Sequence, residues 1–180
     1  IANITWLPMI LVAFVGFSLT ASATYILNDL LDISSDRLHP TKKRRPLASG
    51  KLTIPNGIFA IIGIGTVGLT LSGLISIHLL VLTLMYAVLS ALYSIHLKRY
   101  VIIDAMALSF FYVWRIIIGG ATIGVTNDVW FLCTAAFFFL SLGFGKRAIE
   151  LGRTKPTNVA ELHLSGRGYL KDDLEPIKIL

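Results

Sequence analysis

Three carboxylates at helical spacing are the first residues in this sequence that could do chemistry. They are Asp29, Asp32 and Asp36. If the preceding helix continues through them, steps of about 100° per residue place the three side chains within roughly 60° of one another, and Tyr25 and Asn28 extend the same stripe. Neighbouring carboxylates repel one another unless a cation lies between them, and hard oxygen ligands in an open cleft suit Mg²⁺ bridged to phosphate. The spacing therefore predicts a magnesium site.

Basic residues follow these acids directly, at Arg37, Lys42, Lys43, Arg44, Arg45 and Lys51. Lysine and arginine bind phosphate oxygens, so acids for a metal beside bases for phosphate predict a diphosphate site. The competing explanation is that bases beside a membrane helix mark its cytoplasmic end or attract anionic lipid. That explanation accounts for the bases but not for three acids in helical register, and we therefore favour the diphosphate site.

The elements that must position these residues are membrane helices. Of 180 residues, 55% are hydrophobic and only 14% are charged, whereas soluble domains carry about 25% charged residues. About 20 apolar residues suffice to cross a bilayer, and the sequence predicts five such spans, at residues 5–27, 54–75, 77–97, 101–123 and 129–147. We therefore expect an all-α polytopic transmembrane bundle, forming one domain over 1–180 that is incomplete at both ends.

The positive charges predict how these spans are oriented. Of 16 lysines and arginines, six lie in 37–51, two at 98–99 and seven in 146–178, while Arg115 alone lies within a span. By the positive-inside rule the three basic loops face the cytoplasm, which predicts a multi-pass protein of the cell membrane. The net charge of +6 thus follows from topology and does not indicate nucleic-acid binding. The single cysteine, Cys133, provides no disulfide framework.

The other two basic loops also carry candidate binding residues. The second contributes Tyr93, Lys98 and Arg99, and the third contributes Lys146, Arg147 and Glu150. An interfacial tyrosine with two snorkelling bases is the alternative explanation of the second group. Lys146 and Glu150 are four residues apart, so an ordinary helical ion pair is the alternative for the third.

Two ionisable residues are predicted to lie inside the fourth span. Asp104 is one turn from its start, and Arg115 follows eleven residues later at nearly the same azimuth. Ionisable groups at such depth are candidates for function. Because Arg115 is nearer the outer end, we expect it to have a structural pairing role.

A glycine motif in the second span has a simpler explanation than nucleotide binding. Gly63, Gly65 and Gly68 match G-x-G-x-x-G. A dinucleotide fold requires a strand before this motif, whereas here a membrane helix is predicted on both sides. The glycines therefore indicate close packing between helices.

Two motifs together resemble those of the UbiA superfamily of membrane prenyltransferases. They are N-D-x-x-D-x-x-x-D over 28–36 and Y-x-x-x-x-K-R over 93–99. Within that superfamily, H-P-x-K-x-x-R-P-x-A-S-G over 39–50 is similar to the decaprenyl-phosphate phosphoribosyltransferase branch. So are Asp104 with R-x-x-x-G over 115–119, and G-K-R-x-x-E over 145–150.

The resemblance implies a nine-helix fold, of which the five spans here would be the second to the sixth. It also implies Mg²⁺ as the cofactor, 5-phosphoribosyl diphosphate as the donor and a polyprenyl phosphate as the acceptor; an oligomer is left open. Typical members carry a second aspartate-rich motif at the sixth helix. This chain has Lys146, Arg147 and Glu150 there instead, which suits a donor with an extra phosphate.

The same resemblance assigns roles to the candidate residues. The catalytic residues are Asp29, Asp32, Asp36, Lys42 and Arg45. The substrate-binding residues are Tyr25, Asn28, His39, Tyr93, Lys98, Arg99, Lys146 and Arg147, and Glu150 joins the three aspartates as a metal ligand. Two alternatives stay open: an aromatic prenyltransferase of the same superfamily, which uses a prenyl diphosphate, and a membrane subunit without catalytic activity.

Overall fold

The computed structural model describes residues 6–100 and 102–153, except for the side chains of residues 150–153. Its helices are α1 (Leu7–Leu31), the short α2 (Ile33–Leu38), α3 (Ile54–Ile75), α4 (Ile77–Ile95), α5 (Ile103–Thr122) and α6 (Val129–Arg153). Single 3-10 turns occur at Lys42–Arg44 and Leu97–Arg99. The described residues contain no strand, and the all-α prediction is confirmed.

The five long helices are each apolar and long enough to cross a bilayer, so the chain is an integral multi-pass membrane protein. Each of the five long helices overlaps one predicted span, and the ends differ by a few residues. Two helices continue beyond their predicted ends near the candidate site: α1 ends at Leu31 instead of 27, and α6 ends at Arg153 instead of 147. The α1 backbone stays helical past 27, since Asp32 N–H still donates to Asn28 O at 3.0 Å.

Short connections make the long helices alternate in direction. Ser76 alone separates α3 from α4, and its hydroxyl caps α4 by accepting from Leu79 N–H at 3.0 Å. Thr53 caps α3 in the same way, accepting from Asn56 N–H. The alternation brings the loop after α1, the turn after α4 and the last turns of α6 to one end of the bundle, called here the basic end.

Close packing between α1 and α3 depends on glycine. A Cβ added to Gly68 would lie 2.6 Å from the carbonyl oxygen of Gly16 and 2.8 Å from the Thr20 nitrogen. Gly65 faces Ala23, whereas Gly63 has no atom within 4 Å of its added Cβ position. The helix-packing interpretation is therefore confirmed for Gly68, and small residues let the two backbones approach.

Aromatic rings fill the space between α1, α4 and α5. Tyr86 contacts Phe17 and Phe111 edge to face, with ring centroids 4.7 and 5.6 Å apart, and Tyr93 contacts Phe111 at 5.7 Å. On the outside of the bundle, large apolar side chains such as Phe59 are exposed, as expected where helices face lipid. The core of the bundle therefore includes Tyr86, Tyr93 and Phe111.

Candidate active site

The carboxylates predicted to share a face lie at the junction between α1 and α2. Asp29 is in the last turn of α1, Asp32 separates the two helices, and Asp36 is in α2. Asp36 N–H donates to Asp32 O at 2.8 Å, so helical hydrogen bonding continues across the junction. All three residues line one cavity, and the prediction that they share a face is confirmed.

Arg45 bridges two of these carboxylates. Its Nη1 donates to Asp29 Oδ1 at 2.8 Å and to Asp36 Oδ2 at 2.9 Å. Asp36 is only 3% exposed, so the guanidinium offsets the cost of burying its charge. The basic loop therefore folds back over the acids.

Backbone and side-chain contacts hold this loop in place. His39 Nδ1 accepts from the backbone N–H groups of Thr41 and Lys42, both at 3.3 Å. Arg37 Nε donates to Ala48 O at 3.2 Å, and Gly50 turns the chain with a φ of +79°. His39, predicted to bind substrate, is not among the cavity-lining residues and organises the turn that carries Lys42.

The second basic loop contributes a buried lysine. Lys98 is 6% exposed, and its Nζ donates to Asp32 Oδ1 at 2.5 Å and to Asn28 Oδ1 at 3.3 Å. The snorkelling alternative is therefore wrong for Lys98, which points at the acids. Arg99 is exposed and does not line the cavity.

A buried network connects α4, α5 and α6 at the basic end. Asp104 is 0% exposed and accepts from Tyr93 Oη and from Arg147 Nε, each at 2.6 Å. Arg147 is 2% exposed. Since its Nε is used in this pair, Arg147 fixes α6 against α5 as well as lining the cavity.

The cavity, called here the polar cavity, has a volume of about 450 Å³. The predicted site residues that line it are Tyr25, Asn28, Asp29, Asp32, Asp36, Lys42, Arg45, Tyr93, Lys98, Lys146 and Arg147. Four further lining residues were not predicted from the sequence: Ser90, Ser94, Tyr86 and Tyr112. Serine and tyrosine are ordinary residues of a membrane helix, so nothing in the sequence distinguishes these four. Arg115 also lines the cavity. Its charge inside a predicted span was the one feature of the sequence that indicated a further site residue.

A second cavity of about 660 Å³ lies between α1 and α5. Its lining is mostly apolar and includes Ile10, Phe14 and Ile118. Tyr25 and Arg115 line both cavities, so the apolar cavity meets the polar one at these two residues.

The oxygen donors fit one kind of magnesium site. Among the described residues, no three histidine, cysteine, aspartate or glutamate side chains lie close enough to enclose a metal ion. Mg²⁺ is commonly held by one or two carboxylates together with phosphate oxygens and water. Asp29 and Asp36 lie close enough together for both to contact Arg45 Nη1. The donors thus suit an ion completed by phosphate. The side chain of Glu150, the fourth predicted ligand, lies outside the described residues.

Comparisons with known proteins show the family to which the chain belongs. The UbiA prenyltransferase family matches residues 2–150. A decaprenyl-phosphate phosphoribosyltransferase of Mycobacterium tuberculosis is 32% identical over 154 residues, which are 86% of this chain and 51% of that protein. Nodulation protein NoeC of Azorhizobium caulinodans is 34% identical over 165 residues, 89% of this chain and 52% of that protein.

A third relative has a different name. A digeranylgeranylglyceryl phosphate synthase of Saccharolobus solfataricus is 30% identical over 143 residues, covering 74% of this chain and 47% of that protein. The chain spans about half the length of these curated relatives.

Proposed function

Because the chain belongs to the UbiA prenyltransferase family, we propose that the protein is a membrane transferase acting on a diphosphate donor and a lipid phosphate acceptor. The donor is 5-phosphoribosyl diphosphate and the acceptor is a polyprenyl phosphate. The observation that carries the proposal is the convergence of acids and bases from separate segments, represented by Asp32, Arg45 and Lys98, on one cavity. The similarity to a decaprenyl-phosphate phosphoribosyltransferase supports the choice of substrates.

The reaction exchanges one C–O bond for another. An oxygen of the lipid phosphate attacks C1 of the ribosyl group, and the bond from C1 to the diphosphate breaks. The diphosphate leaves with the bonding electron pair, and the products are a lipid phosphoribosyl phosphate and free diphosphate. The attacking phosphate is already ionised near pH 7, so the step requires no general base.

The residues of the polar cavity supply charge and position for this step. Lys42, Arg45, Lys98 and Lys146 line the cavity with their cationic side chains, and cations fixed where negative charge develops stabilise a transition state. A magnesium ion held by Asp29 and Asp36 would neutralise charge on the departing diphosphate. Asp32 positions the Lys98 ammonium, to which it is bonded.

The basic end is proposed to face the cytoplasm. The positive-inside rule supports this orientation, and it makes the cavity accessible to a water-soluble, phosphorylated donor. The lipid acceptor would enter from within the membrane, with its chain in the apolar cavity between α1 and α5.

The proposal is tested in membranes that contain the full-length protein, Mg²⁺, labelled phosphoribosyl diphosphate and polyprenyl phosphate. We expect labelled lipid to form. Asp32→Asn should abolish turnover because it removes the anionic partner of Lys98. Arg44→Gln is the matched control, since Arg44 is exposed and does not line the cavity. Equal activity of Asp32→Asn and wild type would refute the role of the acids.

The second candidate is a prenyltransferase that uses a prenyl diphosphate. The similarity to a digeranylgeranylglyceryl phosphate synthase favours it, and departure of diphosphate is common to both reactions. The same membranes, supplied with a prenyl diphosphate and an aromatic or phosphorylated acceptor, separate the two. Product from the prenyl donor alone would replace the first proposal, and product from neither donor would favour a non-catalytic subunit.

A further inference from the structure

Arg115 is a cation deep in the bundle. It lies twelve residues after Ile103, the start of α5, which at 1.5 Å per residue is about 18 Å along the helix. Its Nη2 donates to Tyr86 Oη at 3.1 Å, while its Nε is buried and has no hydrogen-bond partner among the described residues. No carboxylate in that part of the chain forms an ion pair with Arg115. The structural pairing expected from the sequence is thus with two tyrosines, Tyr86 and Tyr25.

Two aromatic rings compensate this charge only in part. The guanidinium carbon of Arg115 lies 5.2 Å from the Tyr112 ring centroid and 5.9 Å from that of Tyr86. Such contacts attract a cation, but neither ring carries a negative charge. Ionisable groups inside a membrane protein are usually paired or mark the path of a substrate. The remaining compensation is therefore expected from an anion that the described residues do not supply.

The position of Arg115 indicates which anion this is. Arg115 and Tyr25 line both the polar cavity and the apolar cavity. Side chains on a helix lean toward its amino terminus. Arg115 on α5 therefore leans toward the basic end, and Tyr25 on the antiparallel α1 leans away from it. A lipid phosphate with its apolar chain in the apolar cavity would place its charged phosphate where the two cavities meet, beside Arg115.

We infer that Arg115 binds the phosphate of the acceptor lipid and thereby selects a polyprenyl phosphate over the uncharged polyprenol. The inference deepens the proposed function and rests on it. The guanidinium donors that face the two cavities would contact the phosphate oxygens. The rings of Tyr86 and Tyr112 would hold the guanidinium in position.

A phosphate of the sugar donor is the other possible source of this charge. The donor has no apolar part and gains nothing from the cavity between α1 and α5. Its diphosphate is already matched by Lys42, Arg45 and Lys98 near the basic end. The lipid is therefore favoured, and separate titrations of the two substrates distinguish the sources.

The first experiment measures KM for each substrate with the full-length protein in membranes. Arg115→Gln should raise KM for polyprenyl phosphate about 10- to 100-fold, the range expected for a lost charge-assisted hydrogen bond, and leave KM for phosphoribosyl diphosphate within about twofold. Arg115→Lys, which keeps the charge, should recover part of the loss, and Arg44→Gln should match wild type. A rise in KM for the sugar donor alone, or no change in either KM, would overturn the inference.

The second experiment needs no transfer reaction. Native mass spectrometry of the detergent-solubilised protein, offered equal amounts of polyprenyl phosphate and polyprenol, should show preferential retention of the phosphate form by wild type. Arg115→Gln should lose that preference. If the preference is present but no phosphoribosyl transfer occurs, the proposed function fails while Arg115 keeps its role. If wild type retains both lipids equally, or Arg115→Gln keeps the preference, the inference fails.

Discussion

Replacing Asp104 by leucine should destabilise the full-length protein by about 3–5 kcal/mol, the usual cost of removing one partner of a buried ion pair. Asp104 is fully buried, Arg147 is 2% exposed, and Oδ2 and Nε lie 2.6 Å apart. At 2% exposure the guanidinium gains little solvation to replace the lost carboxylate. The change also removes the acceptor of the Tyr93 hydroxyl, which adds about 1 kcal/mol.

The magnitude is measured by reversible unfolding in mixed micelles as a double-mutant cycle with Arg147→Met. Each single variant should lose several kcal/mol. The double variant should lose much less than their sum, because replacing both members of a buried pair by apolar residues of similar size is often nearly neutral. Lys146→Met is the matched control: Lys146 is exposed, and its removal should change the free energy of unfolding by less than about 0.5 kcal/mol.

Either of two results would show that Asp104 and Arg147 do not form a buried, coupled pair. Single variants that each cost less than about 1 kcal/mol would mean that the pair is solvated and does not connect α5 to α6. A double variant whose cost equals the sum of the singles would mean that Asp104 and Arg147 act independently.

Two further predictions concern helix packing and charge in the polar cavity. Gly68→Ala should destabilise by about 1–3 kcal/mol, because its Cβ would fall within 3 Å of backbone atoms of α1. Gly63→Ala meets open space and should be neutral or slightly stabilising in the same unfolding measurement; similar losses for both would count against the close α1–α3 contact. Lys98→Met should lower kcat in the phosphoribosyl-transfer assay at least about 100-fold while the protein stays folded. A kcat equal to that of Arg44→Gln would exclude Lys98 from the site.

The spans and the face shared by the acids were predictable because each depends on local sequence. Hydropathy alone marks a segment that must leave water, and helical spacing places Asp29, Asp32 and Asp36 on one side whether or not tertiary contacts form. The end of α1 was less predictable. Polar residues ended the hydropathy signal at 27, but helical hydrogen bonds continue past it to Leu31.

The partners of each charge were not predictable, because they depend on how the helices rotate against one another. Lys98 and Arg99 are adjacent and chemically similar, yet one is buried against Asp32 and the other is exposed. Arg147 was expected at the substrate and is held by Asp104 across 43 positions of sequence. Arg115 was identified as unusual from its depth, but its place between two cavities follows only from the packing of α1 on α5.

The most direct test is a structure of the full-length protein bound to phosphoribosyl diphosphate and Mg²⁺. We expect the diphosphate in the polar cavity, with its oxygens against Lys42, Arg45 and Lys98. The metal is expected between those oxygens and Asp29 or Asp36. A diphosphate bound elsewhere, or aspartates turned away from it while the donor is present, would show that these residues do not bind the donor.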